Sequence, residues 1–201
     1  MVPDSVGGPR RGPTDRMRVE ERITRMGGRQ FHLGYLKKPT IAAINGYCVG
    51  GGLEIICGCD IRIAAEHATF ESSEIKRGNL PGITPGKLPR LIGYWWALEL
   101  LLTCRRITAQ ESYRIGLVNE VVPLAELMPR ALAVADEINE NAPLSVRAAK
   151  EVAYRGLMSL TTSDAIEEAS RWLHEILPLS EDYHEGARAF MEKRKPVWKA
   201  R

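Results

Sequence analysis

Thr40-Ile41-Ala42-Ala43-Ile44-Asn45-Gly46, Gly50-Gly51-Gly52-Leu53-Glu54 and Asp60-Ile61-Arg62-Ile63-Ala64 follow one another closely, and their reading decides the fold. The first is a short apolar run closed by an Asn-Gly turn, which predicts a buried strand over 40–45. The glycine triplet then opens a short helix, Leu53 to Gly58, with a glycine stop. Asp60–Ala64 predicts a second strand and Ala68-Thr69-Phe70 a third, shorter one. Strand, helix and strand in quick succession imply an α/β chain.

Outward from this core, residues 71–93 read as a loop-rich stretch. Tyr94–Thr103 predicts an apolar helix, Ala109–Arg114 a short helix stopped near Gly116, and Leu117–Val122 a strand-like run. Beyond it the pattern is helical, over about 125–141, 144–157, 163–177 and 181–194. Leu127, Ala131, Val134, Ala135 and Ile138 keep helical spacing, and Pro143 and Pro178 mark boundaries. Towards the N-terminus, 15–38 predicts a helix weakened at Gly27-Gly28 and ended by Pro39. Residues 1–13 carry too many Gly and Pro for any element. The domain reading is a flexible lead-in (1–14), a strand-containing core (15–122) and a helical region (123–201). No internal repeat stands out.

The chain has 201 residues, 44% hydrophobic and 26% charged, which excludes collagen-like and fully disordered classes. Twenty-eight Lys/Arg against 25 Asp/Glu leave a net charge of +3. Residues 1–38 hold nine Lys/Arg and four Asp/Glu, so the excess sits on the N-terminal arm and marks no nucleic-acid-binding face. No run has the length of a membrane span and no apolar h-region stands near the start, so the expectation is a cytoplasmic chain without membrane partners. Four cysteines, Cys48, Cys57, Cys59 and Cys104, include a pair with one intervening residue, closer than zinc pairs usually stand. Buried free thiols are the expectation.

Nine of the eighteen glycines fall in residues 46–93, where close backbone approach or positive φ is therefore needed. A glycine-opened helix N-terminus offers unpaired N–H groups to a developing oxyanion such as a thioester enolate. Glu54 shares that first turn, either as an acid or base beside the donor or simply as a complement to the helix dipole. Glu74, near Glu71 and Ser72-Ser73, follows the third strand. Two carboxylates twenty residues apart, each beyond a different strand, can face one cavity and move protons in opposite senses; spacing alone equally allows Glu74 as an exposed loop carboxylate. Nucleotide and serine-hydrolase readings fail. Ile55 stands where a dinucleotide fingerprint needs Gly, Leu88 where a P-loop needs Ser or Thr, and no Gly-x-Ser-x-Gly elbow occurs. His32, His67, His174 and His184 make no metal-binding spacing, so no metal site is expected. Trp95 and Trp96 read as core residues, Arg105-Arg106 as complements of a helix dipole, and Glu192-Lys193-Arg194-Lys195 as a solvated helix end.

Taken in order, Lys38-Pro39-Thr40 to Tyr47, Gly50–Glu54, Cys59–Ala64, Ala68-Thr69-Phe70, Glu74-Ile75, Leu80-Pro81-Gly82 and Leu88-Pro89-Arg90-Leu91-Ile92-Gly93 resemble the enoyl-CoA hydratase/isomerase (crotonase) superfamily. Ile107-Thr108-Ala109, Gly116–Asn119, Glu185-Gly186, Phe190 and Glu192-Lys193-Arg194 extend the likeness to the chain's end. The resemblance implies a crotonase-like ββα spiral, incomplete at the N-terminus, followed by an all-helical trimerisation region. It implies an acyl-CoA substrate, a homotrimer or dimer of trimers, and no cofactor beyond the coenzyme A of the substrate. Gly51 matches the oxyanion-hole donor, Glu54 and Glu74 the two catalytic glutamates, and Gly50 and Gly82 backbone positions beside the substrate. Both glutamates together favour a lyase that adds or removes water across the 2,3 bond through a stabilised enolate. The tail is similar to a branch acting on polar acyl-CoA such as carnitinyl-CoA; an isomerase is a further alternative.

Three departures stand out. Ser73 replaces a common Pro, and Gly82–Lys87 lacks the usual glycine run and is one residue shorter, which bears on substrate choice. The family's early strands, with a loop that supplies the second oxyanion N–H, have no match in residues 1–37. Loss of one such donor costs roughly 2.7–4 kcal/mol of transition-state stabilisation. The expectation is that the natural product is longer, which upstream genomic sequence tests. The competing expectation is a truncated, inactive paralogue that serves as an oligomerising subunit.

Overall fold

The computed structural model describes residues 36–158 and 169–200. Among the described residues, six short strands form two three-stranded sheets. In the first, β1 (Ile41–Ile44), β3 (Ile61–Ala65) and β6 (Glu120–Val122) lie parallel, with β3 in the centre. In the second, β4 (Thr69–Glu71) runs parallel to β2 (Tyr47–Val49) and antiparallel to β5 (Ile107–Thr108). From β1 to β4, successive strands therefore alternate between the two sheets. The chain turns a corner at Asn45-Gly46, and again at Glu66–Ala68, and each corner hands it from one sheet to the other. His67 Nε2 meets Asn45 O at 3.0 Å and ties the two corners together.

This arrangement exposes a repeat that the residue types hide. Ile41 stands beside Ile61 in the first sheet, and Tyr47 beside Thr69 in the second. One spiral turn is thus about twenty residues: strand, corner, strand, then a return. The return after β2 is helix α1 (Gly51–Ile56); after β4 it begins with a 3-10 turn (Ile75–Arg77). Parallel neighbours require such crossovers. The strand over Tyr47–Val49 escaped sequence reading because its three residues show no alternation and Tyr47 is 82% exposed.

Burial follows the pleat. Ile44, with Ala42 on the same face of β1, joins Ala64, Leu53, Phe70, Leu88 and Ile107 in one core. Ile41, Ala43, Ile61, Ile63 and Ala65 face the other way, onto Leu127, Ala131 and Val134. These come from α5 (Leu124–Asn139), which confirms the helical spacing read in that segment. The strand read over 117–122 shortens to β6. Leu117 and Val118 are buried outside the ladder, while Asn119 Oδ1 accepts from Arg62 N at 2.8 Å in place of a strand partner.

The stretch read as loop-rich holds helix α2 (Thr84–Ile92), followed by α3 (Tyr94–Thr103). Its prolines obscured it. Pro85 sits in the first turn, where no N–H is required, and Pro89 lies inside the helix. Arg90 Nη1 bonds Gly86 O at 2.8 Å, so the guanidinium supports that turn. On α3 the tryptophan reading is corrected: Trp95 is 79% exposed, edge-on to Tyr94, and Trp96 lies under Arg114. The face that packs is Ala97, Leu100 and Leu101. Arg105 and Arg106 serve ion pairs, with Glu99 and Glu111 for the first and Glu71 for the second.

Helix α4 (Ala109–Arg114) opens on a reciprocal capping box between Thr108 and Glu111. After α5 come α6 (Pro143–Met158), a π turn (Trp172–Ile176), a 3-10 turn (Leu177–Leu179) and α7 (Glu181–Met191). The helix expected over 163–177 lies partly outside the described residues, as do the lead-in and all but the last residues of the helix expected over 15–38; residues 36–38 are not helical. No helix among the described residues is long and apolar enough to cross a membrane.

The basic segment after α7 is a clasp and not a free helix end. Arg194 grips both oxygens of Glu185 at 2.6 and 3.0 Å, and Val197 N donates to the same carboxylate. Trp198 then reaches Glu140 O with its indole N–H at 2.8 Å. Arg194, with help from the Val197 N–H, holds the Glu185 carboxyl down to about 2. Its folded value lies below its free value of about 4.5, so the clasp is complete above that pH and is lost as pH falls towards 2. The Trp198 indole resonance is expected to keep its native NMR shift above pH 4.5 and lose it in that interval; in Glu185→Gln the native shift is already lost at neutral pH.

Candidate active site

The parallel register of β2 and β4 builds the site. Val49 pairs with Glu71, so the chain leaves both strands at one level. Gly50 N donates to Glu71 O at 3.0 Å, which seats the start of α1 against the end of β4. Gly50 has φ 58°, a conformation that a Cβ disfavours. It also lies where a Cβ would stand 3.2 Å from Oε1 of Glu74. Glu74 thus rests on the bare backbone at the head of α1, and Ser72 Oγ donates to its Oε2 at 3.2 Å. As the first residue of the helix, Gly51 has no intrahelical acceptor for its N–H, and it is exposed.

Glu54, half-buried on the same turn, points to a different neighbour. Its Oε1 accepts from Ile83 N at 2.8 Å. Gly82, with φ 41°, closes over the carboxylate so tightly that a Cβ there would stand 2.1 Å from Oε1. The need for glycine at position 82 is therefore steric: its missing side chain is the space that Glu54 occupies.

A cavity of about 390 Å³ is lined by Val49, Gly50, Gly51, Ser73, Glu74, Arg77 and Asn79. It unites Glu74 with the glycines at the head of α1. Glu54 and Gly82 form a second pair joined to it through the first turn of α1 and are not among its lining residues. Arg77 and Asn79 were missed in the sequence, because a charged and an amide side chain near Gly78 read as ordinary loop polarity. Glu71, the other nearby carboxylate, is taken up by Lys76 at 3.0 Å and Arg106 at 2.9 Å. Those two cations hold its carboxyl below the usual carboxylate range, Lys76 first, and it is spent on structure. Among the described residues no group of three or more His, Cys, Asp or Glu could hold a metal ion.

The arrangement offers an open backbone donor, a carboxylate beside it and a second carboxylate oriented by a peptide N–H. Comparison with known proteins gives it a context. The enoyl-CoA hydratase/isomerase family profile matches residues 24–201. The chain is 41% identical to the mevalonyl-coenzyme A hydratase of Aspergillus fumigatus over 81% of its own length and 60% of that protein's. It is 41% identical to the short-chain-enoyl-CoA hydratase of Clostridium acetobutylicum, covering 85% of this chain and 65% of the other. It is 40% identical to the carnitinyl-CoA dehydratase of Salmonella agona, over 83% and 65%. The crystal structure of the enoyl-CoA hydratase from Bacillus anthracis superposes with a TM-score of 0.80 and 37% identity, covering 96% of this chain and 73% of that one. The chain spans about 60–65% of the length of the curated relatives it matches.

Proposed function

Because this chain belongs to the enoyl-CoA hydratase/isomerase family and has its fold, we propose that Glu54, Glu74 and the head of α1 add water across the 2,3 double bond of an enoyl-CoA thioester, or remove it in reverse. The observation that carries the reading is the pair of oriented carboxylates around one exposed helix start. Water gives its oxygen to C3, and the electron pair of the double bond moves towards the thioester oxygen. The Gly51 N–H meets the charge that develops there. One carboxylate takes the proton from water while the other gives a proton to C2. Gly50 lets Glu74 approach the donor, and Gly82 leaves Glu54 room. The chemistry asks for no cofactor beyond the coenzyme A of the substrate.

A second reading concerns the acyl group. Ser73, Arg77 and Asn79 line the cavity, so it suits a polar acyl chain better than a long alkyl one. Relatives named for mevalonyl-CoA and carnitinyl-CoA support that direction. The assembly we propose is a trimer or dimer of trimers. In the helical region Leu173, Leu179, Phe190 and Met191 are exposed, apolar surface that subunit contact would cover. Free buried thiols suit the cytoplasm.

Turnover of crotonyl-CoA, a long-chain enoyl-CoA and carnitinyl-CoA, followed by the ultraviolet absorbance of the conjugated thioester, tests the reading. Hydration or dehydration of at least one, with the polar substrate preferred over the long-chain one, is the expected result. No turnover of any would overturn the function, and a long-chain preference would overturn the polar acyl reading alone.

A further inference from the structure

A second cavity, of about 480 Å³, opens at the opposite end of α1, between Cys57-Gly58, the first residues of β3, α2 and α6. Much of its wall is apolar, from Ile61, Leu91, Ile138 and Val146. Two cations are buried in it. Lys87 of α2 is 5% exposed, and among the described residues its Nζ has no hydrogen-bond partner. That Nζ faces the ring of Tyr154 on α6, 5.7 Å from the centroid. Arg62 of β3 is 8% exposed; Nη1 donates to Cys59 O at 3.1 Å, but its buried Nε has no hydrogen-bond partner among the described residues.

The remaining charges are already matched to each other. Lys150 bonds Asp60 at 2.6 Å and Lys38 O at 2.9 Å. Asp60, the one carboxylate among the lining residues, also accepts from the backbone N–H and hydroxyl of Thr40. Three cations thus surround the space with one committed anion. A buried ion without a partner is costly, and burial pushes the Lys87 amine below its ordinary value. A guanidinium stays charged regardless.

We propose that this cavity binds a small carboxylate with an apolar tail, its head between Lys87 and Arg62 and its tail against Ile138 and Val146. Its volume is in the range of small-molecule sites, about 300–1,000 Å³. The apolar walls disfavour a strongly hydrated dianion such as phosphate. The site shares no lining residue with the cavity at Gly51 and Glu74.

Calorimetric titration of the whole chain with octanoate, octanol and inorganic phosphate at constant ionic strength tests this. Saturable one-to-one binding of octanoate is expected, roughly tenfold or more tighter than octanol, the difference that a charged hydrogen bond makes. Phosphate should bind more weakly than octanoate. Lys87→Met should lose the preference for octanoate over octanol and melt at a higher temperature, since the unpaired cation is gone. Glu74→Gln should bind octanoate unchanged, which separates this cavity from the candidate active site. The proposal is overturned by absent octanoate binding, equal affinity for octanol, tighter phosphate binding, unchanged selectivity in Lys87→Met or loss of binding in Glu74→Gln. The comparison of ligands on the unaltered chain decides the matter even if the variant does not fold.

Discussion

Glu54→Gln and Glu74→Gln are each expected to lower kcat for hydration by about 10²- to 10⁴-fold, the usual worth of a positioned acid or base. Glutamine preserves shape and much of the local bonding. At position 54 its amide oxygen still accepts from Ile83 N–H, which now holds the carboxylate at 2.8 Å. At position 74 it still meets Ser72, which now donates to the carboxylate at 3.2 Å. The fold should therefore hold, with melting temperatures close to that of the parent, while proton transfer is lost. The double variant should fall little further than the worse single one, because groups that act on one transition state are not additive. Steady-state kinetics on the most active substrate, with thermal melts as control, reads this out. Full activity in both variants would remove the glutamates from the mechanism.

Gly82→Ala comes next in size. The new Cβ would fall 2.1 Å from Oε1 of Glu54, a separation that non-bonded carbon and oxygen do not sustain. The carboxylate is the far end of a flexible side chain, so it moves and the backbone stays. Its bond from Ile83 N–H is then broken. Misplacing a catalytic group by about 1 Å can cost about 10²-fold in rate. The positive φ of Gly82 adds about 1–2 kcal/mol of strain for a residue with a Cβ. The expected signature is a modest fall in melting temperature with a fall in kcat of about 10²-fold. Gly50→Ala clashes less, since its Cβ would stand 3.2 Å from Glu74, but at φ 58° it carries backbone strain of its own. An unchanged kcat in Gly82→Ala would show that Glu54 does not need its present position.

Much of this was legible in the residues themselves. The apolar run at 40–45, the glycine-opened helix and the strand at 60–64 rest on local rules of periodicity and turn chemistry, and the structure keeps all three within a residue or two at their ends. The same rules failed where tertiary context outweighed them. Pro85 and Pro89 argued against a helix over 84–92. The first falls where no donor is needed, and the packing of Leu88 and Ile92 into the main core offsets the second. Trp95 was assigned to the core by composition, yet the buried face of its helix is fixed by Ala97 and Leu101. At the site, the residue types of Glu54, Glu74 and the glycines stood out. The direction in which Glu54 points did not, because its partner Ile83 is twenty-nine residues away.

By itself, the sequence determined many of the elements: short buried strands, a helix opened by glycines, two acids twenty residues apart beyond different strands, and helices after residue 123. These follow from how each residue constrains its own backbone and its near neighbours. Only the tertiary structure decided that β1 and β2 enter different sheets, that the space beside Gly82 is filled by Glu54, and that Lys87 is buried with no hydrogen-bond partner among the described residues. Each of those depends on what lies opposite a side chain after long-range pairing, and the energy of a buried charge or a missing Cβ is set by that neighbour and not by the residue alone.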